Sequence, residues 1–394
     1  MDYWDHEIYE YISKLKPADK ARLVDNMAAV SELRPGDKCW CGSGLKFRAC
    51  HLNRELERVI SRAEEAHVQA IFFTNNKLCC ATFDAANCHQ EIKGAHTIQR
   101  GRVLESFSKD GHVGTFYRNH EGKVSEKDVK IGTKKSASIF YGFCNYHDTV
   151  LFRDIEINDF VASFENCWAS SYRAICHEFY QKNAAKEAVD WKIRYLDSGR
   201  SLMHQLIMQS NLQATKRDVC KGFEDASAVK KNYENIKVTG AFDEIASLII
   251  EFDVPPTVAV SGSISPYYDL KGERLQNFPG MSSVFEYLTL STLCSDGRAV
   301  YCISSLKQHE KTTSYLQQLS IMSPSALKDW LFTSIFSHIE NTYFNLDWWS
   351  SLSNDQQVKI SEIALMDGYS KALKYGGFPA NVIPGTIEKM LLLS

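Results

Sequence analysis

The sequence has no long apolar run. Its most hydrophobic stretches, such as Ile245 to Ile250, are far short of the roughly 20 residues a membrane-spanning helix needs, so no membrane contact is expected. The opening residues MDYWDHEIYEY carry acids and aromatics where a secretory signal would place a basic and then an apolar segment. That start predicts a cytoplasmic protein. Charge of one sign is also missing. The formal net charge is -3, which excludes a polycation that holds nucleic acid by bulk charge and leaves only local patches for that role. There is no phosphate loop, no nucleophile elbow and no dinucleotide fingerprint, and no internal repeat.

What is present is an ordinary globular composition, with 44% hydrophobic and 24% charged residues over 394 positions. That length suggests two or three domains. Twelve cysteines in a reducing compartment point to metal or catalysis where they cluster, and to packing where they stand alone, as at Cys167, Cys176, Cys220, Cys294 and Cys302.

Helical spacing is clear at Ile8, Tyr11, Ile12 and Leu15, and again at Leu23, Met27 and Val30 beyond Pro17. Residues 53 to 70 carry charge pairs at helical spacing, and 158 to 235 read as long helices with a polar tail that is either an exposed helix or a linker. Between 240 and 305 the pattern turns β-rich, with Asp296-Gly297 as a hairpin signal. Gly262 reads as a bulge or loop. From 310 onward the chain reads as helical, with Ser323-Pro324 as a helix start. Trp348-Trp349 offers either a stacking surface or, by default, a lock between two helices.

Two cysteine clusters carry chemistry. In the first, Cys39-Trp40-Cys41-Gly42-Ser43-Gly44 precedes Cys50-His51, with eight residues between Cys41 and Cys50. Zinc favours four nitrogen or sulfur ligands in a tetrahedron. A C-x-C knuckle supplies two, and the glycines let the backbone turn past the metal. This stretch, from Pro35 to His51, resembles the SEC-C motif, the zinc module at the end of the bacterial preprotein-translocation ATPase and in many unrelated proteins. The resemblance implies a closed structural Zn2+ site at Cys39, Cys41, Cys50 and His51. It also implies a small protein-docking surface at Lys46, Phe47 and Arg48. Such a site contributes about 10 kcal/mol or more to holding a small module folded.

The second cluster is spread out. It comprises Cys79-Cys80, Cys88, then Ala95-His96-Thr97-Ile98, and later Cys144-Asn145-Tyr146-His147-Asp148. The expected ligands of a second structural Zn2+ are Cys80, Cys88, Cys144 and His147, with Cys79 as the alternative to Cys80. The order of a cysteine hairpin, Ala-His-x-Ile and a C-x-x-H turn into a helix, over roughly 78 to 155, resembles the treble clef of the HNH nucleases. That resemblance implies His96 as the general base and puts Asp148 where the family has a metal-binding histidine, holding Mg2+ or Mn2+. The family's asparagine has no counterpart: Ser136 and Ser138 lie near its position, and Asn145 lies within the knuckle. The plainer reading of the same residues is a second structural zinc site with His96 as a buried histidine or an alternative ligand. Arg118 to Lys135 is a basic stretch that suits either a phosphate backbone or solvent.

The expected fold class is α+β, a mostly helical multidomain chain with two small zinc-stapled modules and a C-terminal mixed domain containing an antiparallel sheet. The expected order is N-terminal helices over 1–34, the SEC-C module over 35–52, a connecting helix over 53–76, the HNH-like region over 77–157, a helical region over 158–236 and an α+β domain over 237–394. The expected function is a zinc-binding effector that acts on nucleic acid, an HNH-like endonuclease in bacterial anti-phage defence. The alternative is a non-catalytic zinc-finger adaptor that docks protein partners.

Overall fold

A computed structural model describes residues 12–13, 15–89, 91–118, 124–131, 137–276, 284–365 and 380–394. Part of the expected first helix, parts of the basic stretch (119–123 and 132–135) and Ser136 lie outside the described residues.

Beyond a helical piece at 12–13, the described residues begin with α1 (Pro17–Val30) and α2 (Arg62–Asn75). Helix α2 starts later than its charge pattern suggests. Asn53 takes a left-handed conformation (φ 61°), a single 3-10 turn covers Arg54–Leu56, and the helix begins only where the Ser61 hydroxyl accepts the Glu64 amide. Strands β1 (Ile92–His96), β2 (His112–Arg118), β3 (Val124–Lys130) and β4 (Ile139–Cys144) follow, then α3 (Asn145–Ile157). The long helices are α4 (Phe164–Tyr195) and α5 (Leu202–Thr239). The polar segment that reads as helix or linker is therefore helix. Next come β5 (Ile245–Phe252), β6 (Val258–Ile264), β7 (Leu288–Ser295) and β8 (Arg298–Leu306). Gly262 lies inside β6, in unbroken register with β7, and is no bulge. The C-terminal part holds α6 (Glu310–Ser320), α7 (Pro324–His338), β9 (Thr342–Phe344), α8 (Leu346–Ser351), α9 (Asn354–Leu365) and β10 (Ile387–Leu393). It is thus not wholly helical. The Ser323 hydroxyl caps α7, with Pro324 in the first turn, as expected.

The chain divides into two compact units, 1–76 with 181–224, and 77–180 with 225–394. In the first, Leu15 and Leu23 pack on Leu206 and Ile207 of α5, with Trp40 alongside. Asp19, itself buried, pairs with Arg217.

The second unit is built on an antiparallel sheet in the order β10-β5-β8-β7-β6-β9-β2-β3. Side chains alternate across a strand. Leu248 and Ile250 of β5 face a core made with Leu316, Trp330, Phe332 and Ile335 of α6 and α7. Ile249 of the same strand faces a second core made with Trp168, Tyr172 and Ile175 of α4 and Val229 and Tyr233 of α5. Both faces are covered, so the strands read as almost continuous apolar runs. The tryptophan pair belongs to the first core, against strands rather than between two helices. Trp349 packs on Phe116 and Phe344 with ring centroids 5.2 Å apart in each case, and the Trp348 indole N–H donates to the Val382 carbonyl at 2.7 Å.

A separate two-stranded sheet pairs β1 with β4, and α3 follows directly from β4. The intervening β2–β3 hairpin, which covers most of the described part of the basic stretch, leaves this pair and joins the large sheet through β9. Among the described residues no helix is long and apolar enough to cross a membrane.

Candidate metal centres

The first centre is a small hook in the first unit. Lys38 and Lys46 bridge its two arms, and the Cys39 amide donates to the Leu45 carbonyl at 2.8 Å. Gly42 and Gly44 make the return with φ of 77° and 76°, a region where a Cβ is strained. A 3-10 turn over Phe47–Ala49 then swings Cys50 and His51 back towards the knuckle, their amides donating to the Phe47 carbonyl at 3.1 Å. Phe47 is itself buried with Cys39 and Cys41. Of the expected docking residues only Lys46 and Arg48 are exposed, because the aromatic ring is spent on a core this module otherwise lacks.

Cys39, Cys41, Cys50 and His51 bring four donor atoms within 4.8 Å of one another. The His51 Nδ1 stands 3.2 Å from the Cys39 sulfur and 3.1 Å from the Cys50 sulfur, and the Cys41 and Cys50 sulfurs are 3.5 Å apart. Tetrahedral zinc ligands stand about 3.5 to 3.8 Å apart, so the spacing fits a zinc ion with little adjustment. The outer nitrogen of His51, Nε2, meets the Asp197 carboxylate at 2.8 Å.

The second centre lies in the second unit and is assembled from three segments. Leu78 and Cys80 donate their amides to Tyr141 and Gly142 of β4. Neighbours on such an extended stretch face opposite ways. Cys79 therefore faces the donor group, while Cys80, fully buried, turns into the core towards the Cys176 carbonyl, 3.8 Å from its sulfur. The structure thus puts Cys79, not the expected Cys80, in the group. Cys88 arrives after a 3-10 stretch over Thr82–Asn87. Cys144 ends β4 and caps α3, its sulfur accepting the His147 amide at 3.5 Å.

Cys79, Cys88, Cys144 and His147 bring their donors within 4.8 Å. The His147 Nδ1 is 3.2 Å from the Cys79 sulfur and 3.3 Å from that of Cys144. Its Nε2 meets Asp84 at 3.2 Å. Burial pushes the Cys79 thiol up to about 12, so a thiolate here needs a cation beside it. The three-sulfur, one-nitrogen donor set suits zinc. In both centres a carboxylate fixes the histidine from its outer face, the usual support for a ligating imidazole.

His96 belongs to neither group. It ends β1 opposite Ile139 of β4. Its Nε2 is buried with no hydrogen-bond partner among the described residues. Burial holds the imidazole below the ordinary histidine value, with Glu156, Arg100, Arg173 and Glu105 as its charged neighbours. Asp148 lies in the first turn of α3, where burial pushes its carboxyl up and the Arg173 guanidinium draws it back. Asp148, Phe152 and Glu156 are spaced to share one face of α3. Arg173 of α4 lies over the Phe152 ring at 4.2 Å and donates to Glu156 at 2.5 Å, while its Nε is buried with no hydrogen-bond partner among the described residues.

Sequence reasoning missed both Arg173 and Glu156, which have no motif around them. Of the residues expected near an asparagine position, Ser138 does something else. The Ser138 hydroxyl accepts the Ile98 amide at 2.7 Å and meets the Thr97 hydroxyl at 2.8 Å, bracing the stretch just after His96. Asn145 opens α3 and is exposed.

Residues 37–53 match the family model of the SEC-C motif, and the match contains all four donors of the first centre. No curated protein and no solved structure matches the chain.

Proposed function

We propose that the chain is a zinc-stapled effector that acts on nucleic acid, with the β1–β4–α3 module as its hydrolytic centre and His96 as the general base. One observation carries this reading. His96 sits outside both donor groups, stays neutral through burial, and keeps an unpartnered buried nitrogen. A neutral imidazole with a free lone pair is what proton abstraction from water requires. Arg173, buried over Phe152 and braced by Glu156, places a positive charge near this imidazole.

The donor set around Asp148 fits Mg2+ or Mn2+ poorly. These ions take several oxygen ligands, and here one carboxylate stands beside an arginine while Glu156 is engaged by that same arginine. No step is therefore routed through a hard cation. Zinc in the second centre would be held by Cys79, Cys88, Cys144 and His147, and would fix the strand and helix that flank His96. A place in anti-phage defence belongs to this proposal only by analogy of arrangement.

The test is an His96→Ala chain assayed on DNA and RNA. The expected result is two bound zinc ions, as in the wild type, and cleavage lowered at least a hundredfold. Unchanged cleavage, or loss of one zinc equivalent, overturns the assignment. A second reading, a protein-docking adaptor, is favoured by Leu45, Leu52 and Leu56 around the hook, which are 43%, 38% and 81% exposed. It takes over if the wild-type chain cuts neither nucleic acid.

A further inference from the structure

The hook and the turn between the two long helices share one buried carboxylate. Asp197 lies in the elbow between α4 and α5 and is fully buried. It takes three contacts, all at 2.8 Å: Nε2 of His51, Nε of Arg54 and Nε2 of Gln209. Arg54 also donates to the Cys50 carbonyl at 3.1 Å and to the Arg194 carbonyl, and its own carbonyl accepts the Gly199 amide at 3.0 Å. Gly199 is bound to this arrangement by space as well. It has φ of 71°, and a Cβ there would lie 2.5 Å from the Glu57 carbonyl oxygen. From the other side Gln213 of α5 donates to the Cys41 carbonyl at 2.9 Å.

An isolated anion with no solvent is costly, and it persists only when its partners are all in place. When a metal occupies Nδ1 of His51, the ring proton must sit on Nε2, which is the atom facing Asp197. The protonation and orientation that suit the metal are then the ones that complete the carboxylate's set of donors.

We propose that Asp197 is the positioning residue of the first metal centre, and that through it zinc in the hook closes the elbow between α4 and α5, so that metal binding acts as a latch on the helical pair. The inference is independent of any nuclease activity. Asparagine in place of Asp197 keeps the shape but presents an amide N–H where at least one of the three N–H donors needs an acceptor.

In the full-length chain, Asp197→Asn is expected to weaken one of two zinc equivalents roughly 10- to 100-fold in competition with a chromophoric chelator, leaving the other unchanged. Tight binding of both equivalents by this variant, with only a lowered melting temperature, overturns the proposal, since that is the signature of a merely structural residue. Hydrogen exchange gives the reciprocal reading and does not depend on that variant's folding. Amides over 194–201 and 205–209 are expected to exchange at least tenfold faster in Cys39→Ser, which disables the hook, and at wild-type rates in Cys79→Ser. Unchanged protection in Cys39→Ser also overturns it.

Discussion

The two donor groups have the same chemistry, three thiols and an imidazole with a carboxylate behind it, yet they are built in opposite ways. The hook gathers its donors from Cys39 to His51, a single short loop. The second group gathers Cys79, Cys88, Cys144 and His147 from the stretch beside β4, the loop before β1 and the start of α3. Their outer carboxylates differ too. Asp197 has a fully buried side chain with three partners, whereas Asp84 is 29% exposed and is also engaged by Asn87 at 2.7 Å. A local motif can thus carry its metal on its own residues and use the carboxylate to fasten onto something else. A dispersed site uses the metal to hold itself together.

The largest test of that contrast separates Cys79 from Cys80. Cys79→Ser is expected to lose one zinc equivalent and, with it, binding energy on the order of 10 kcal/mol that is coupled to folding of the β1–β4–α3 module. Cys80→Ser should keep both equivalents. Elemental analysis of the two purified chains decides it, and the reverse outcome would return Cys80 to the metal.

Acid should act on the second unit in a way the hook does not share. His177, half-buried and 5.3 Å from the Phe140 ring of β4, has its pKa lowered by desolvation to about 4 from an ordinary 6.5. The folded chain resists a proton that the unfolded chain accepts. Stability is therefore full above about 6.5, falls as the pH drops from 6.5 to 4, and levels off below that. The loss is at most about 3 kcal/mol. Urea titrations at pH 7 and pH 4.5 should show a smaller acid loss in His177→Gln than in the wild type. Equal losses would mean that His177 contributes nothing to the acid response.

The smallest expected effect lies at Asp84. Because solvent already reaches it, Asp84→Asn should loosen the second zinc by less than tenfold, below the effect of Asp197→Asn on the first. A larger effect at Asp84 would erase the distinction between the two centres.

How far each region is legible from sequence follows the same divide. The hook, the Asp296-Gly297 hairpin and the Ser323-Pro324 helix start depend on residues within a few positions of one another, and local backbone chemistry dictates them. Cys79 against Cys80 depends on which side of an extended stretch faces β4, which only the pairing with Tyr141 and Gly142 settles. Arg173, Glu156 and Asp197 reach their sites from helices by tertiary packing, and no spacing rule marks them. The basic stretch reads as suited to a phosphate backbone or to solvent, but its described part is mostly β3, paired to β2. β2 in turn meets β9 at Gly114 and Phe344, and a partner more than two hundred residues away leaves no trace in the local pattern.

The spacing of the two donor groups also sets an order of events during synthesis. A chain emerging from the ribosome holds all four thiol and imidazole groups of the hook once His51 has appeared, and can load zinc while the rest is unmade. The second group is complete only when His147 has followed, and its strands β1 and β4 must first pair across the segment between them. Zinc scarcity between those two points would leave chains with a loaded front and an open middle.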